Sequence, residues 1–136
     1  VYRIAIVDDN ETWCCALQIA LQQRSFRVST FTDAHTFLRV AHQFDLAVVD
    51  FSMPTRPYKQ ELDGSQVITQ LKKHLKNPPK LILASAFFSK DSPIAHEICP
   101  QADGYLSKGM NLAQILDFIT AAVEQLGINQ TTSRRT

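Results

Sequence analysis

The sequence predicts an α/β domain with a doubly wound, five-stranded parallel sheet, and three observations carry that reading. Short apolar runs alternate along the chain with stretches of helical periodicity. The apolar runs are continuous rather than alternating with polar residues, as expected of strands covered on both faces. Two of them stop abruptly on acids, at Asp8-Asp9 and at Asp50.

Arg3 to Val7 is a short run rich in β-branched residues that ends at Asp8-Asp9, which is a buried strand entering a loop. From Thr12 the residues Trp13, Leu17, Ala20 and Leu21 recur at helical spacing until Arg24-Ser25 breaks the pattern. Val28 to Phe31 is a second strand, and Thr32-Asp33 is a start signal for a helix carrying Phe37, Leu38 and Ala41. Leu46 to Val49 is a third strand, followed by Asp50 and a proline-containing loop that ends at Asp63-Gly64. Val67, Ile68, Leu71 and Leu75 suit a third helix, closed by Asn77-Pro78-Pro79. Leu81 to Ala84 is a fourth strand ending at Ser85, and a weaker helix spans roughly 92–98. Gly104 to Leu106 is the last strand. Asn111 can then cap a helix carrying Leu112, Ile115, Leu116, Ile119 and Val123.

At 136 residues the chain suits a single core, with one domain expected over residues 1–127 and a polar tail or the start of a linker over 128–136. Hydrophobic residues make up 45% and charged residues 20%, which excludes disordered and fibrous classes. A formal net charge of +1 supplies no general field for nucleic acid or anionic membrane. Arg134-Arg135 is too small a patch for a phosphate backbone. No apolar run approaches the roughly 20 residues a bilayer requires, and the N-terminus lacks a signal-peptide layout. The three cysteines, Cys14, Cys15 and Cys99, have neither zinc-site nor C-x-x-C spacing. They read as small buried hydrophobes in a reducing compartment, which makes a cytoplasmic location the expectation.

Ligands of open parallel sheets bind beyond the carboxyl ends of the strands, where strand order reverses. The first strand delivers Asp8 and Asp9 there, the third Asp50, the fourth Ser85, and the fifth is followed by Lys108. Three carboxylates in one cleft repel each other unless a cation neutralises them. Oxygen ligands and a half-open cluster suit Mg²⁺, which keeps several waters and accepts phosphate oxygens. Lys108 and Ser85 can hold further phosphoryl oxygens, leaving Asp50 as the nucleophile for an aspartyl phosphate.

Four stretches carry a family resemblance: Ile4-Ala5-Ile6-Val7-Asp8-Asp9-Asn10, Val48-Val49-Asp50-Phe51-Ser52-Met53-Pro54, Ala84-Ser85-Ala86, and Gly104-Tyr105-Leu106-Ser107-Lys108. In this order and at strand ends they resemble the receiver domain of two-component response regulators, over roughly residues 2–126. The resemblance implies a flavodoxin-like (βα)5 fold. It implies that Asp50 accepts a phosphoryl group from a histidine kinase or phosphotransfer protein. Asp9 then binds Mg²⁺ directly, Asp8 acts largely through water, and the backbone carbonyl of Ser52 completes the metal site. Ser85 and Tyr105 form the switch, which alters the surface made by the fourth helix, the fifth strand and the last helix. Such a domain is a signalling phosphoacceptor rather than a conventional enzyme, although it promotes its own phosphotransfer and a slow self-dephosphorylation. A homodimer and a DNA-binding output domain beyond this chain are both compatible with it.

The sequence also departs from the family pattern. The glycine before the third helix commonly lies about eight residues beyond the acceptor, whereas Gly64 lies fourteen beyond Asp50. The added segment, Thr55 to Leu62, is either a tolerated surface insertion or brings Arg56, Tyr58 and Lys59 to the donor protein. Gly109 follows Lys108 where many receivers have a cis proline, so a trans bond is expected. Both features resemble regulators of the LuxR-type output branch. Phe87, two residues beyond Ser85, is expected to shield the acyl phosphate from water. Two other classes compete. A haloacid-dehalogenase-type phosphohydrolase requires an acid two residues past the nucleophile, and position 52 is serine. A phosphorylation-independent pseudo-receiver, acting as an interaction module, usually lacks the acceptor or the acids, all of which stand here.

Overall fold

The computed structural model describes residues 1–51, 63–86 and 97–134, with side chains through Gly127. Five strands, β1 (Arg3–Val7), β2 (Arg27–Phe31), β3 (Leu46–Asp50), β4 (Lys80–Ser85) and β5 (Gly104–Ser107), form one sheet in the order β2-β1-β3-β4-β5. All four pairings are parallel. The described helices are α1 (Glu11–Gln23), α2 (Ala34–Val40), α3 (Gly64–His74) and α4 (Leu112–Arg134), with a 3₁₀ turn over Ala41–Gln43. Most of the weak helix expected at 92–98 lies outside the described residues, as do Ser52, the segment Thr55 to Leu62, and Phe87. Glu97 and Ile98 are helical.

Because strand side chains alternate in direction, each apolar run supplies two layers of core. Ile4, Ile6, Leu46, Val48, Ile82 and Ala84 face the layer closed by Leu17 and Leu21 of α1 and by Ile115, Ile119 and Val123 of α4. Ala5, Val7, Ala47, Val49, Leu81 and Leu83 face the opposite layer, closed by Phe37 of α2 and by Val67, Ile68 and Leu71 of α3. Central β3 is buried at every position, so it reads as a continuous apolar run. β2 is an edge strand with the pattern exposed or half-buried throughout, which explains why Arg27, Ser29 and Thr30 can occupy it. Phe31, Phe37 and Phe44 make an aromatic cluster beneath that edge, with centroid separations of 5.5 to 6.2 Å.

The helix ends are set by short polar side chains. Asn10 caps α1, its Oδ1 accepting from the Trp13 amide at 3.1 Å, so the helix starts one residue before the apolar periodicity does. Asp63 and Gln66 form a reciprocal capping box on α3. Asn111 and Gln114 exchange the same pair of bonds at the start of α4. Ser25 takes a left-handed conformation (φ 71°) just past α1, as the Arg24-Ser25 break anticipates. Adjacent residues on a helix point about 100° apart, so the two neighbouring cysteines cannot share the core. Cys14 is buried and Cys15 exposed, which corrects the expectation that all three are buried. α4 continues as helical backbone to Arg134, beyond the last apolar residue of the expected stripe.

Asp33 caps α2 by accepting from the His35 and Thr36 amides and from the Thr36 hydroxyl, the last at 2.9 Å. Desolvation pushes its carboxyl up, but these hydrogen bonds together outweigh it and hold the pKa below the ordinary value. The stabilisation is therefore present above the unfolded-state pKa and is lost as pH falls through the lower folded-state value. Asp33→Ala should lower stability by about 1 kcal/mol at neutral pH. The difference from wild type should shrink in acid urea titrations.

Candidate functional site

The sheet register brings the strand ends to one rim. Val7 pairs with Val49, Asp50 with Ala84, and Ser85 with Ser107. The residues at or just past these positions, Asp8, Asp50, Ser85 and Lys108, are thereby neighbours across the carboxyl edge. The rim lies at the reversal between β1 and β3, where successive connections run to opposite sides of the sheet.

Asp8, Asp9 and Asp50 each place a carboxylate oxygen within 4.8 Å of the other two. Asp8 is wholly buried, Asp50 is 4% exposed, and Asp9 opens to solvent. Desolvation, with the hydrogen bond and charge of Asp8 beside it, holds the Asp9 carboxyl above its ordinary value. The cluster is thus short of positive charge. Lys108 supplies part of it: Nζ donates to Asp8 Oδ2 at 2.6 Å and stands 3.6 Å from Asp50 Oδ1. Burial alone would depress the Lys108 pKa, but the bond to Asp8 and the charges of Asp50, Asp8 and Asp9 reverse that and raise it. Lys108 is an ammonium at any physiological pH. Three oxygen donors with one open side, and no soft ligand among them, match the donor set of a small hard dication.

The backbone around these groups is tightly fixed. The Asn10 amide donates to Asp8 Oδ1 at 2.9 Å, and the Cys14 thiol donates to the Asp8 carbonyl at 3.3 Å. Desolvation and the charge of Asp8 push that thiol up to about 11, so it is a structural group and not a nucleophile. The Phe51 amide bonds the Ala84 carbonyl at 2.8 Å and the Lys108 amide bonds the Ser85 carbonyl at 3.1 Å. The Gly64 amide bonds the Phe51 carbonyl at 3.0 Å, which ties the start of α3 to the end of β3. A Cβ on Gly64 would overlap the Asp50 carbonyl oxygen and lie 2.8 Å from the Asp50 carbonyl carbon and from Phe51 Cα.

Asp8, Asp9, Asp50, Ser85 and Lys108 are therefore brought to one rim as expected. Ser85 is fully buried there. Tyr105 is set apart, half-buried on β5 with its hydroxyl donating to the Cys99 carbonyl at 2.6 Å. The Lys108-Gly109 bond is trans, since the described residues contain no cis peptide. Sequence reasoning missed the contributions of Asn10, Trp13 and Gly64. Asn10 was detectable as a cap residue ahead of a helical stripe. Trp13 lies beneath Lys108, its ring centroid 4.6 Å from Nζ, and nothing in the sequence couples those two positions.

A family model described as the response regulator receiver domain matches residues 4–120. The chain is 32% identical over 136 residues to the transcriptional regulatory protein PrrA of Mycobacterium leprae (strain TN), covering 98% of this chain and 55% of PrrA. It is 29% identical over 125 residues to the transcriptional regulatory protein QseB of Haemophilus influenzae, covering 90% of this chain and 53% of QseB. The chain spans about half the length of these curated relatives. Among solved structures it resembles the response regulator TrrA of Thermotoga maritima, crystallised with Mg²⁺-BeF, at a TM-score of 0.70 and 24% identity, covering 89% of this chain and 98% of that one. It also resembles DrrB, a Thermotoga maritima OmpR/PhoB homologue, at a TM-score of 0.73 and 25% identity, covering 92% of this chain and 54% of DrrB.

Proposed function

This chain belongs to the response regulator receiver domain family, and from that premise we propose that Asp50 takes the phosphoryl group, with Mg²⁺ held beside it by Asp8 and Asp9. The observation that carries the proposal is the assembly of three carboxylates within 4.8 Å of one another with the Lys108 ammonium already among them. As a receiver domain of a two-component system, the chain is a signalling module. Its donor is a histidine kinase or a phosphotransfer protein.

Asp50 Oδ forms a bond to phosphorus as the bond from phosphorus to the donor imidazole nitrogen breaks. The imidazole leaves with the bonding electron pair, as the neutral ring when its other nitrogen already carries a proton and otherwise with uptake of one proton from water. Lys108 faces the oxygens on which charge accumulates, and Ser85, buried at the end of β4, offers a hydroxyl to another. When bound, Mg²⁺ supplies the remaining neutralisation of the crowded oxygens, and by family resemblance the Ser52 carbonyl would join its ligands. Tyr105 and Ser85 relay the change to the protein-interaction surface, through a hydroxyl that now rests on the Cys99 carbonyl. The same geometry supports phosphorylation from small acyl phosphates and slow hydrolysis of the product.

The interaction-module alternative has less support, because the acceptor, acids, hydroxyl and lysine are present and assembled. The relatives are transcriptional regulators about twice this length, which supports a DNA-binding output domain beyond the chain; we further propose that the protein acts in the cytoplasm and as a homodimer. The lengthened loop and Gly109 point to the LuxR-type branch, whereas DrrB is an OmpR/PhoB homologue; identity of 25% does not carry the output type. Among the described residues no helix is long and apolar enough to cross a membrane.

Beryllofluoride with Mg²⁺ tests the site directly. At a hundredfold excess over its Kd, a ligand that binds only the folded state adds about 2.7 kcal/mol. Thermal unfolding should shift upward by several degrees for wild type and not for Asp50→Asn. An equal shift in the variant would place the anion elsewhere.

A further inference from the structure

Asp8, Asn10, Trp13 and Lys108 form a closed circuit. Asp8 Oδ1 accepts from the Asn10 amide, Asn10 Oδ1 accepts from the Trp13 amide, the Trp13 ring lies under Lys108 Nζ, and Lys108 Nζ returns to Asp8 Oδ2. Three of the four links are hydrogen bonds. The fourth, the indole face, joins α1 to the loop that follows β5. Trp13 is half-buried against the core layer of α1 and α4, and it is the only tryptophan in the chain.

We infer that Trp13 is a positioning residue for phosphoryl transfer, acting through Lys108. The inference rests on the proposed role of Asp50 and Lys108. A lysine side chain has four freely rotating carbons and a compact charge, so without a wall its ammonium samples a wide volume. Here the Asp8 and Asp50 carboxylates attract it at 2.6 and 3.6 Å, and it stands over the π face of the indole, 4.6 Å from the ring centroid. The ring's quadrupole favours a cation and its apolar surface excludes water, so Nζ stays between Asp8 and Asp50, where arriving phosphoryl oxygens must be met. Glu11 and Thr12 precede the ring on the same first turn, and the Asn10 cap fixes where that turn begins.

The test is a double-mutant cycle on the initial rate of Asp50 phosphorylation by acetyl phosphate with Mg²⁺, using Trp13→Leu, Lys108→Met and the pair. Trp13→Leu should slow the reaction roughly five- to thirtyfold, the range for a partly desolvated cation on an indole. Trp13→Phe should recover part of the loss, since a smaller ring still presents a π face. In the Lys108→Met background the Trp13→Leu change should cost less than twofold. An equal loss in both backgrounds would overturn the inference, as would a Trp13→Leu rate equal to wild type. Thermal unfolding of each variant identifies any loss caused by misfolding; if Trp13→Leu is unfolded, Trp13→Phe takes its place in the cycle, and a Phe loss equally large in the wild-type and Lys108→Met backgrounds then overturns the inference. Absence of phosphorylation in wild type would instead refute the role of Asp50, a separate result.

Discussion

Lys108→Met should slow phosphorylation of Asp50 by roughly a hundredfold to a thousandfold, the scale seen when one preorganised donor to developing charge is removed, while tightening Mg²⁺ binding. Both effects follow from one position. Nζ sits 2.6 Å from Asp8 and 3.6 Å from Asp50, so in the proposed reaction the lysine would meet the transferred phosphoryl oxygens, and as a cation it would repel any second cation among the same carboxylates. Removing it leaves Asp8, which is fully buried, without its counter-charge. Stripping one partner from a buried pair typically costs about 3–5 kcal/mol, so the metal-free variant should unfold at lower temperature. Mg²⁺ should restore much of that loss. The raised Lys108 pKa fixes the sign of the pH dependence: the pair's stabilisation is complete below the unfolded-state lysine pKa and is lost as pH rises through the higher folded-state value. Isothermal titration with Mg²⁺ and the rate with acetyl phosphate measure the two predicted effects separately. A variant that binds Mg²⁺ more weakly and reacts at the wild-type rate would contradict both.

Gly64→Ala should damage the fold and the site together. The added methyl would overlap the Asp50 carbonyl oxygen and crowd Phe51 Cα at 2.8 Å, and these are backbone atoms at the end of a central strand with no rotamer to change. Overpacking of this kind costs about 1–3 kcal/mol and occasionally more; the upper end is expected, because β3 is bonded on both sides and the Gly64 amide is already hydrogen-bonded to the Phe51 carbonyl. Chemical denaturation should show the loss. A variant that keeps most of its stability must have moved α3 or the Asp50 backbone, and its phosphorylation rate should then fall by more than tenfold, since misplacement by about 1 Å can cost a hundredfold. Wild-type stability with a wild-type rate would mean that the close approach of α3 to Asp50 is not needed.

The parts of this molecule that could be read from its sequence share a physical cause. β1, β3 and β4 are covered on both faces, so nearly every residue in them is apolar and the run announces itself. An acid at the end of such a run is conspicuous, which is why Asp8, Asp9 and Asp50 stand out. β2 is an edge strand, so exposed Arg27 belongs to it without any apolar signal. The start of α1 at Glu11 depends on Asn10, a cap that precedes the periodicity instead of belonging to it.

Other features depend on the approach of distant segments. Gly64 could be noted as displaced along the chain, but its purpose appears only where α3 meets the Asp50 backbone. Trp13 reads as one more apolar position on α1 until the loop after β5 lays Lys108 across its ring. Tyr105 illustrates a different limit: its position on a short strand was legible, whereas its bond to the Cys99 carbonyl depends on how the segment before β5 returns to the sheet.

Phosphorylation of Asp50 should require Mg²⁺, because the Asp8, Asp9 and Asp50 carboxylates crowd within 4.8 Å of one another. Incubation with acetyl phosphate, followed by phosphate-affinity gel electrophoresis, tests it most directly. A retarded band is expected for wild type with Mg²⁺, none when Mg²⁺ is chelated, and none for Asp50→Asn under either condition. A retarded band that survives in Asp50→Asn, or no band in wild type with Mg²⁺ present, would contradict it.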